Sequence, residues 1–568
     1  MIKHCLNRIY KAGLLSFFAL TAVSAYSEVN VEKATRQIDI LNEPQKIEEK
    51  LRTVPEKPLE PKIEKAPIIT EKEEKKFLTK KIILAGVESF PPEEFDRIVK
   101  KYENKEWILE GLNLLTDDIE REYLKKNIIA AAFVPPQDIK EGTVTIQIVE
   151  AKMGKLDIQD HKYFKKERLS YYWDIPPGEV MRFDKISRSI QMMNKNPDRK
   201  VKSALRAGEK QGTTDVALTA ETHFPIHPSC SVDNEGTTAS GKYKDGLGIR
   251  HNNFLGLDDM LIAGYFFGRE FDGIYGYHNL PISPKGTSLV YGYVFSKANP
   301  KKDYETLGVH AKSQNFDISF HQDFYKKDKY IGEGFFGFTA KEKTITLNTG
   351  TYSRDRLRII SLGGNFIRQN LAGTTIFSPE FHQGIDCLGA SSKGNPLASR
   401  GAKSVFSKLN IKIQYRKILP LSLRGNILFE SQSASTKLTP QEEFSLGGLD
   451  SVRGYPSGDY LADNAAIFNG ELLIPSFFIP QGLRFPCSKD SLKERVTLLT
   501  FLDYGWGKRK GASPTENPTA NMASIGSGVR LKLSEQSILR LEWGFPFGDD
   551  SITEEGHSRF HFSLDFQI

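Results

Sequence analysis

One glycine pattern in the sequence has the spacing of a nucleotide-binding turn, at residues 332–337 (Gly-Glu-Gly-Phe-Phe-Gly). A GxGxxG turn of that kind opens a helix after a strand. Here Phe335, Phe336 and Phe338 instead predict that the stretch is itself a strand. The nucleophile elbow GxSxG, the zinc motif HExxH and the complete P-loop are absent from the sequence. The sequence therefore predicts no catalytic residue, no metal site and no cofactor.

The composition excludes two further classes of protein. Lysine and arginine total 78 against 71 aspartates and glutamates, a net charge of +7, which is too balanced for a nucleic-acid binder. The basic run at 508–510 is predicted to be a solvated loop. With 39% hydrophobic residues the chain lacks the apolar runs of about 20 residues that a helical membrane protein needs. A membrane β-barrel is not excluded, because only alternate residues of its strands face lipid.

The N-terminus predicts export from the cytoplasm. Three basic residues precede an apolar run from 12 to 23, and Val23-Ser24-Ala25 offers a small-residue cleavage site. This is the pattern of a secretory signal peptide, predicted at 1–25. The mature chain keeps three widely spaced cysteines, which predict neither a disulfide framework nor a zinc site: Cys230, Cys387 and Cys487.

Three segments separate the signal peptide from the strand-rich part of the chain. Residues 26–76 combine an amphipathic spacing, which predicts a short helix, with a Pro-rich linker; composition alone favours a disordered tail. Residues 77–152 and 153–223 predict two small α+β modules, each beginning and ending in a strand. In the first module Thr116 is predicted to cap a helix.

From residue 224 to the C-terminus, apolar and polar residues alternate. The clearest runs are 409–416 (Leu-Asn-Ile-Lys-Ile-Gln-Tyr-Arg) and 560–568, where five apolar residues alternate with four polar ones. Charged residues of both signs occupy the polar face, which is typical of a membrane barrel with a wet lumen. The 345 residues of 224–568 provide about 22 for each of sixteen strands with its share of loop. The pattern predicts a 16-stranded transmembrane β-barrel.

Two motifs in this region carry a family resemblance. Residues 444–455 read Phe-Ser-Leu-Gly-Gly-Leu-Asp-Ser-Val-Arg-Gly-Tyr, and residues 501–505 read Phe-Leu-Asp-Tyr-Gly. They resemble the sixth-loop signature and the FxDxG strand motif of two-partner secretion (TpsB) transporters, the haemolysin secretion/activation proteins of ShlB/FhaC/HecB type. Residues 233–236 and 253–256 are similar to the family's first barrel hairpin. Matches to its two POTRA domains occur at Pro136, Gln137, Asp138, Gly142, Gly208, Gly212 and Asp215.

The resemblance implies that a loop around 444–464 folds back into the barrel, where Arg453 pairs with Asp503 as a conformational lock. Arginine can bind one carboxylate through two parallel hydrogen bonds, although Arg453 could also merely stiffen the barrel. The remaining motif positions are Gly447, Gly448, Val452, Gly454, Tyr455, Phe501 and Gly505. Two positions depart from the family pattern: the chain ends in Ile568 where Phe is common, and Ala151 stands where Gly is frequent.

The predicted fold class is therefore a membrane all-β protein, a C-terminal 16-stranded barrel preceded by two periplasmic α+β POTRA domains. The resemblance implies a pore in the outer membrane of a Gram-negative bacterium that secretes a large TpsA-like partner exoprotein without ATP. Its other predicted partners are outer-membrane lipids and the barrel-assembly machinery, with no nucleic acid. A barrel-assembly insertase or a gated porin are the alternatives, and an enzyme has no motif in its favour.

Overall fold

The computed structural model describes residues 35, 62–63 and 76–567, except 140, 211, 238, 327–329, 485–490, 515, 535 and 549–557. The predicted signal peptide and almost all of the predicted N-terminal helix and linker lie outside the described residues. The chain forms two compact units. One comprises Thr53–Pro225 with Leu255–Asp258, and the other includes Ile226–Phe254 with Asp259–Ile568.

The first predicted POTRA domain packs two helices on a three-stranded sheet. Strand β3 pairs in parallel with β6, and β5 pairs with the other edge of β6 in antiparallel orientation. Phe95, Ile119 and Tyr123 are fully buried between the layers. The elements are β2 (Phe77–Thr79), β3 (Lys81–Ala85), α1 (Asp96–Val99), β4 (Lys105–Trp107), α2 (Asn113–Lys125), β5 (Ala130–Phe133) and β6 (Thr143–Glu150).

The predicted helix cap at Thr116 is wrong. Helix α2 begins at Asn113, directly after a 3-10 turn over Leu109–Leu112, so Thr116 lies inside its first turn. Its hydroxyl donates a hydrogen bond to the Asn113 carbonyl oxygen at 2.9 Å. A threonine can make this bond within a helix, and for that reason its presence alone does not fix a helix start.

The second predicted POTRA domain repeats the plan with a larger sheet of order β1-β8-β9-β7. Its helix α4 buries Ile186, Ile190 and Met193 against the sheet, as their helical spacing predicts. At the outer edge the two residues of β1 pair in parallel with Ala204 and Leu205 of β8. The elements are β1 (Lys62–Ile63), β7 (Lys152–Gln159), α3 (Lys166–Ser170), α4 (Phe183–Met193), β8 (Arg199–Ala207) and β9 (Thr213–Thr222).

Sixteen antiparallel strands form a closed barrel, in which the last strand pairs with the first. The predicted fold class is confirmed. The GxGxxG pattern lies inside strand β16. The barrel strands are β10 (Ile226–Asp233), β11 (Lys244–His251), β12 (Met260–Phe267), β13 (Phe271–Pro281), β14 (Thr287–Ala298), β15 (His310–Lys326), β16 (Tyr330–Leu347), β17 (Gly350–Asn370), β18 (Gly373–Gly384), β19 (Ser407–Ile418), β20 (Arg424–Ala434), β23 (Asn464–Pro475), β24 (Val496–Lys508), β25 (Thr519–Lys532), β26 (Ile538–Pro546) and β27 (Arg559–Gln567).

Alternate residues of the barrel strands face outward, as strand geometry requires. On β24, Leu502 and Tyr504 are about half exposed. The residues that alternate with them, Phe501, Asp503 and Gly505, are buried toward the lumen. A short helix, α5 (Leu492–Arg495), precedes this strand. Each helix in the described part of the chain is too short or too polar to cross a membrane.

Candidate functional site in the barrel lumen

Loop 6, residues 435–463, connects β20 to β23 and packs inside the barrel. Two short strands, β21 (Phe444–Leu446) and β22 (Tyr460–Ala462), pair with each other and bring its middle part back on itself. Apolar residues of these strands and of the turn between them pack against wall residues of β23 and β25: Leu446, Val452, Tyr455, Tyr460 and Ala462 form one cluster with Ala465, Ile467, Ala520 and Met522. Loop 6 therefore has a core of its own in the lumen.

Arg453 at the tip of loop 6 contacts Asp503 on β24 in a two-point arrangement. Its Nε lies 2.7 Å from one carboxylate oxygen and its Nη2 lies 2.7 Å from the other; its backbone N–H also donates at 3.1 Å. The guanidinium carbon stacks 3.6 Å from the ring centroid of Phe501. Arg453 is 2% exposed and Asp503 is fully buried, so water does not compete with these bonds.

Two further carboxylates surround the same guanidinium. Arg453 Nη1 donates to Glu471 on β23 at 2.7 Å and to Glu542 on β26 at 2.8 Å. Three wall strands therefore hold one side chain of the loop. The network continues through alternating charges, because Arg530 binds both glutamates and Arg540 links Glu542 to Asp450 of the loop.

Wall glycines allow the loop tip to approach closely. A β-carbon at Gly505 would lie 2.7 Å from a methyl carbon of Val452, and one at Gly544 would lie 2.5 Å from the backbone nitrogen of Gly454. Gly454 itself has φ +92°, and the two preceding motif glycines, 447 and 448, also have positive φ. This backbone conformation favours glycine.

Glu235 and His561 hold the other side of the loop tip. Glu235 follows β10, and its carboxylate accepts the backbone N–H of Leu449 at 2.9 Å. His561 on β27 accepts the backbone N–H of Gly454 at Nε2, also at 2.9 Å. The tip of loop 6 therefore contacts the wall on both sides of the junction between the first and last strands.

The motif residues of the POTRA domains take positions within their own folds. The Gln137 amide pairs with both backbone groups of Thr145 at 2.8 Å and so extends the β5 edge of the sheet. Gly142 has φ +79°, and Asp215 accepts the Lys155 backbone N–H at 2.7 Å. The other matched positions contribute as follows: Gly208 and Gly212 shape the β8–β9 turn, and Pro136 and Asp138 are exposed.

A buried carboxylate organises the first POTRA domain. Glu150 at the end of β6 accepts hydrogen bonds from the Glu88 and Ser89 backbone N–H groups, at 3.0 and 2.8 Å, and from the Tyr123 hydroxyl at 3.0 Å. The Ser89 hydroxyl also donates to it. Burial alone would raise the pKa of Glu150, but the Ser89 bonds and the other donors lower that pKa below its usual value.

Sequence reasoning missed most of the polar partners. Glu471, Glu542 and Arg530 lie at lumen-facing positions of alternating strands, yet nothing in one sequence distinguishes them from other polar residues there. The predicted solvated loop at 508–510 is wrong for Arg509, which is buried and pairs with Glu443 and Glu516. Within the described residues, no group of acidic, His and Cys side chains is placed to hold a metal ion.

Comparisons with known proteins agree with this architecture. The family model for haemolysin secretion/activation protein ShlB/FhaC/HecB matches residues 212–531, and that for the ShlB-type POTRA domain matches 77–151. The heme/hemopexin transporter protein HuxB of Haemophilus influenzae is 24% identical over 504 residues, 83% of each chain. CdiB from Escherichia coli superposes with a TM-score of 0.67 at 18% identity over 96% of this chain and 99% of that one. BamA from Haemophilus ducreyi, lacking POTRA domains 1–3, superposes with a TM-score of 0.54 at 12% identity over 86% and 100% of the chains, a likeness of fold alone.

The first of these family models spans more than half of the chain. Its members are transporters that secrete a partner protein through an outer-membrane barrel of Gram-negative bacteria, with their POTRA domains in the periplasm. The chain with its luminal loop 6 therefore belongs to the ShlB/FhaC/HecB family of two-partner secretion transporters and secretes a partner protein across the outer membrane.

Proposed function

We propose that Arg453 and Asp503 form a conformational lock that keeps loop 6 in the lumen between export events. The observation that carries the proposal is the number of polar bonds on one loop side chain, with three carboxylates of three wall strands on Arg453. When the loop moves, water can replace the partners in hydrogen bonds and ion pairs of this kind. The attachment of the loop is therefore reversible. Passage of a partner through the lumen then requires these bonds to break.

We further propose that residues 77–152 and 153–223 act as two cargo-binding modules for the N-terminal secretion domain of a TpsA-like exoprotein. An extended peptide can add to an exposed sheet edge through backbone hydrogen bonds. The edge of β8 supports this mode, because β1 already pairs there with Ala204 and Leu205 while β8 itself spans nine residues. A cargo strand at this edge would replace residues 62–63.

The N-terminal segment 26–76 has a proposed role in the resting state. Its amphipathic part would plug the pore, and the Pro-rich part would tether it. Proline-rich chains are extended and semi-rigid. Such a tether would connect the plug in the pore to the first POTRA domain, which begins at residue 77. Folding of the exported partner outside the cell would supply the driving force, since the sequence predicts no nucleotide site.

Lipids and the barrel-assembly machinery complete the proposed partners. Large apolar side chains project outward from the barrel strands, among them Phe316, Phe336, Leu362 and Trp543, each at least 44% exposed. An outer band of this composition matches the hydrocarbon core of a membrane. The barrel-assembly machinery would insert the barrel into this membrane.

Site-specific photo-crosslinking tests the docking edge in the full-length transporter during secretion. A crosslinker in place of Lys202, an exposed residue of β8, should capture the secretion domain of the partner. The matched control replaces Asp157, an exposed residue of β7 on the opposite edge of the same sheet. Equal capture at both positions, or capture at Asp157 alone, would assign the cargo to a different surface.

A further inference from the structure

Two consecutive carboxylates of loop 6, Glu442 and Glu443, are buried and bind cations on different parts of the barrel. Their side chains are 2% and 0% exposed. Burial of an ionised carboxylate is costly unless it is paired and hydrogen-bonded. We call Glu442 and Glu443 the acidic anchor. The cations that each carboxylate binds show which parts of the barrel the pair connects.

Glu442 binds the barrel wall. One of its carboxylate oxygens lies 2.7 Å from Lys341 Nζ on β16, and the other lies 2.8 Å from Lys408 Nζ on β19. Its backbone carbonyl accepts bonds from Lys408 at 3.2 Å and from Gln432 at 3.0 Å. Four bonds therefore fix this residue to strands that do not contact Arg453.

Glu443 binds the two neighbouring loops instead. Its carboxylate pairs with Arg400 of loop 5 (residues 385–406) and lies 3.3 Å from Arg509 Nε of loop 7 (residues 509–518). Arg400 also donates to the Leu438 carbonyl oxygen at 3.1 Å.

The end of loop 6 joins the same cluster through Asp463. Its carboxylate lies 3.5 Å from Arg400 Nη2 and accepts the backbone N–H groups of Lys510 at 2.7 Å and Leu438 at 2.6 Å. Residue 400 has a φ of +55°, a left-handed conformation that a side chain disfavours. The cluster therefore holds Arg400 in a backbone geometry that it would not adopt by itself.

Loops 5, 6 and 7 all lie at the same end of the barrel. Barrel strands are counted from β10, which follows the periplasmic POTRA domains, so the loops after odd-numbered strands lie at the extracellular end. Loops 5, 6 and 7 follow the ninth, eleventh and thirteenth strands. Glu443 and Asp463 tie all three together, and Glu442 fastens them to the wall at β16 and β19.

We propose that the acidic anchor is a second ionic attachment of loop 6, separate from Arg453, and that it narrows the extracellular end of the channel between export events. At Glu442 the charges are the reverse of those at the loop tip: a loop carboxylate binds wall cations, whereas at the tip a loop cation binds wall carboxylates. Glu442 and Glu443 are thus positioning residues for loops 5, 6 and 7. The proposal concerns the resting channel and does not depend on which partner is exported.

Single-channel recording in planar bilayers and a secretion assay together test the proposal. The full-length Glu442→Gln, Glu443→Gln and double variants keep the side-chain size but remove the negative charges that hold four cations. We expect the double variant to conduct about twofold more than the wild type, because the barrel encloses an aqueous channel, and to retain secretion. Arg453→Ala, with the anchor intact, should lose secretion.

The matched control is Glu430→Gln, which removes a half-buried carboxylate 3.2 Å from Lys412 between two neighbouring wall strands. It should leave conductance unchanged. Heat-modifiable migration shows which variants are folded, and Arg400→Gln with Lys341→Gln tests the same contacts from the cation side if the glutamate variants do not fold. Wild-type conductance in a folded double variant would overturn the proposal, as would a loss of secretion equal to that of Arg453→Ala.

Discussion

His561 Nδ1 lies 2.6 Å from a carboxylate oxygen of Glu235, and this contact joins the last strand of the barrel to the segment after the first. Because Nε2 accepts the Gly454 N–H, Nδ1 carries the proton and donates it to Glu235. The two strands that meet here, β10 and β27, share five residue pairs, against eighteen between β16 and β17. Among the described residues this barrel ladder has the fewest residue pairs, and the loop tip gives the junction an additional support.

His561→Ala is expected to lower the temperature at which the barrel unfolds in detergent. The substitution removes the donor to one carboxylate oxygen of the buried Glu235 and the acceptor of the Gly454 N–H, which costs about 1–3 kcal/mol for each group left unsatisfied. Heat-modifiable migration on SDS gels measures the midpoint. His310→Ala, which removes an exposed histidine on β15, is the control. An unchanged midpoint for His561→Ala would show that the ladder alone holds the junction.

Arg453→Ala and Asp503→Ala are each expected to abolish or greatly reduce secretion while the protein still reaches the outer membrane. Removing one partner of a buried ion pair costs about 3–5 kcal/mol, compared with 1 kcal/mol or less for an exposed pair. The double variant should secrete about as poorly as either single one, because both changes remove the same interaction. Additive effects on the secretion rate, or normal secretion by either single variant, would contradict the proposed lock.

Arg453→Lys should be poorly tolerated. An ammonium group cannot make the planar two-point contact with Asp503 and still reach Glu471 and Glu542. Arg416→Lys, at an exposed position on β19, is the matched control and should secrete normally. Secretion by Arg453→Lys at the control level would show that charge suffices and that the geometry of the guanidinium is not used.

Deletion of residues 28–52 is expected to raise single-channel conductance while secretion persists. The amphipathic spacing in this segment and the Pro-rich stretch that follows it support a tethered plug; almost all of both lies outside the described residues. Planar bilayer recording measures the effect in a barrel shown to be folded by heat modifiability. Unchanged conductance in that barrel would exclude the plug.

The first POTRA domain should lose stability at acidic pH through Glu150. Its pKa is lower in the folded protein than in the unfolded chain, so its contribution is fully present above the unfolded value of about 4.3 and is lost as the pH falls through the lower folded value. Hydrogen exchange of amides 82–150 in the full-length protein, corrected for intrinsic rates, measures this. Glu150→Gln should reduce protection at pH 7, and its difference from wild type should shrink below pH 4.

Alternation of apolar and polar residues was enough to predict the barrel, because every strand has one face toward lipid and the other toward the water-filled lumen. The lumen was less accessible to sequence reasoning. Arg453 and Asp503 stand out through their motifs, whereas Glu471 and Glu542 depend on a strand register that no local pattern encodes. Arg509 is an example. A basic run at a strand end predicts a solvated loop, whereas Arg509 is buried because it pairs with Glu443, which is distant in the sequence.

Gly505 and Gly544 have a consequence for how members of the family can diverge. Each lies on the wall where an added side chain would collide with Val452 or Gly454 of loop 6. The surfaces of the loop tip and the wall are therefore complementary in shape. A larger side chain on one surface requires a compensating change on the other. A loop 6 transplanted from a distant relative should seat in this barrel only when the residues facing it at 505 and 544 are transplanted as well.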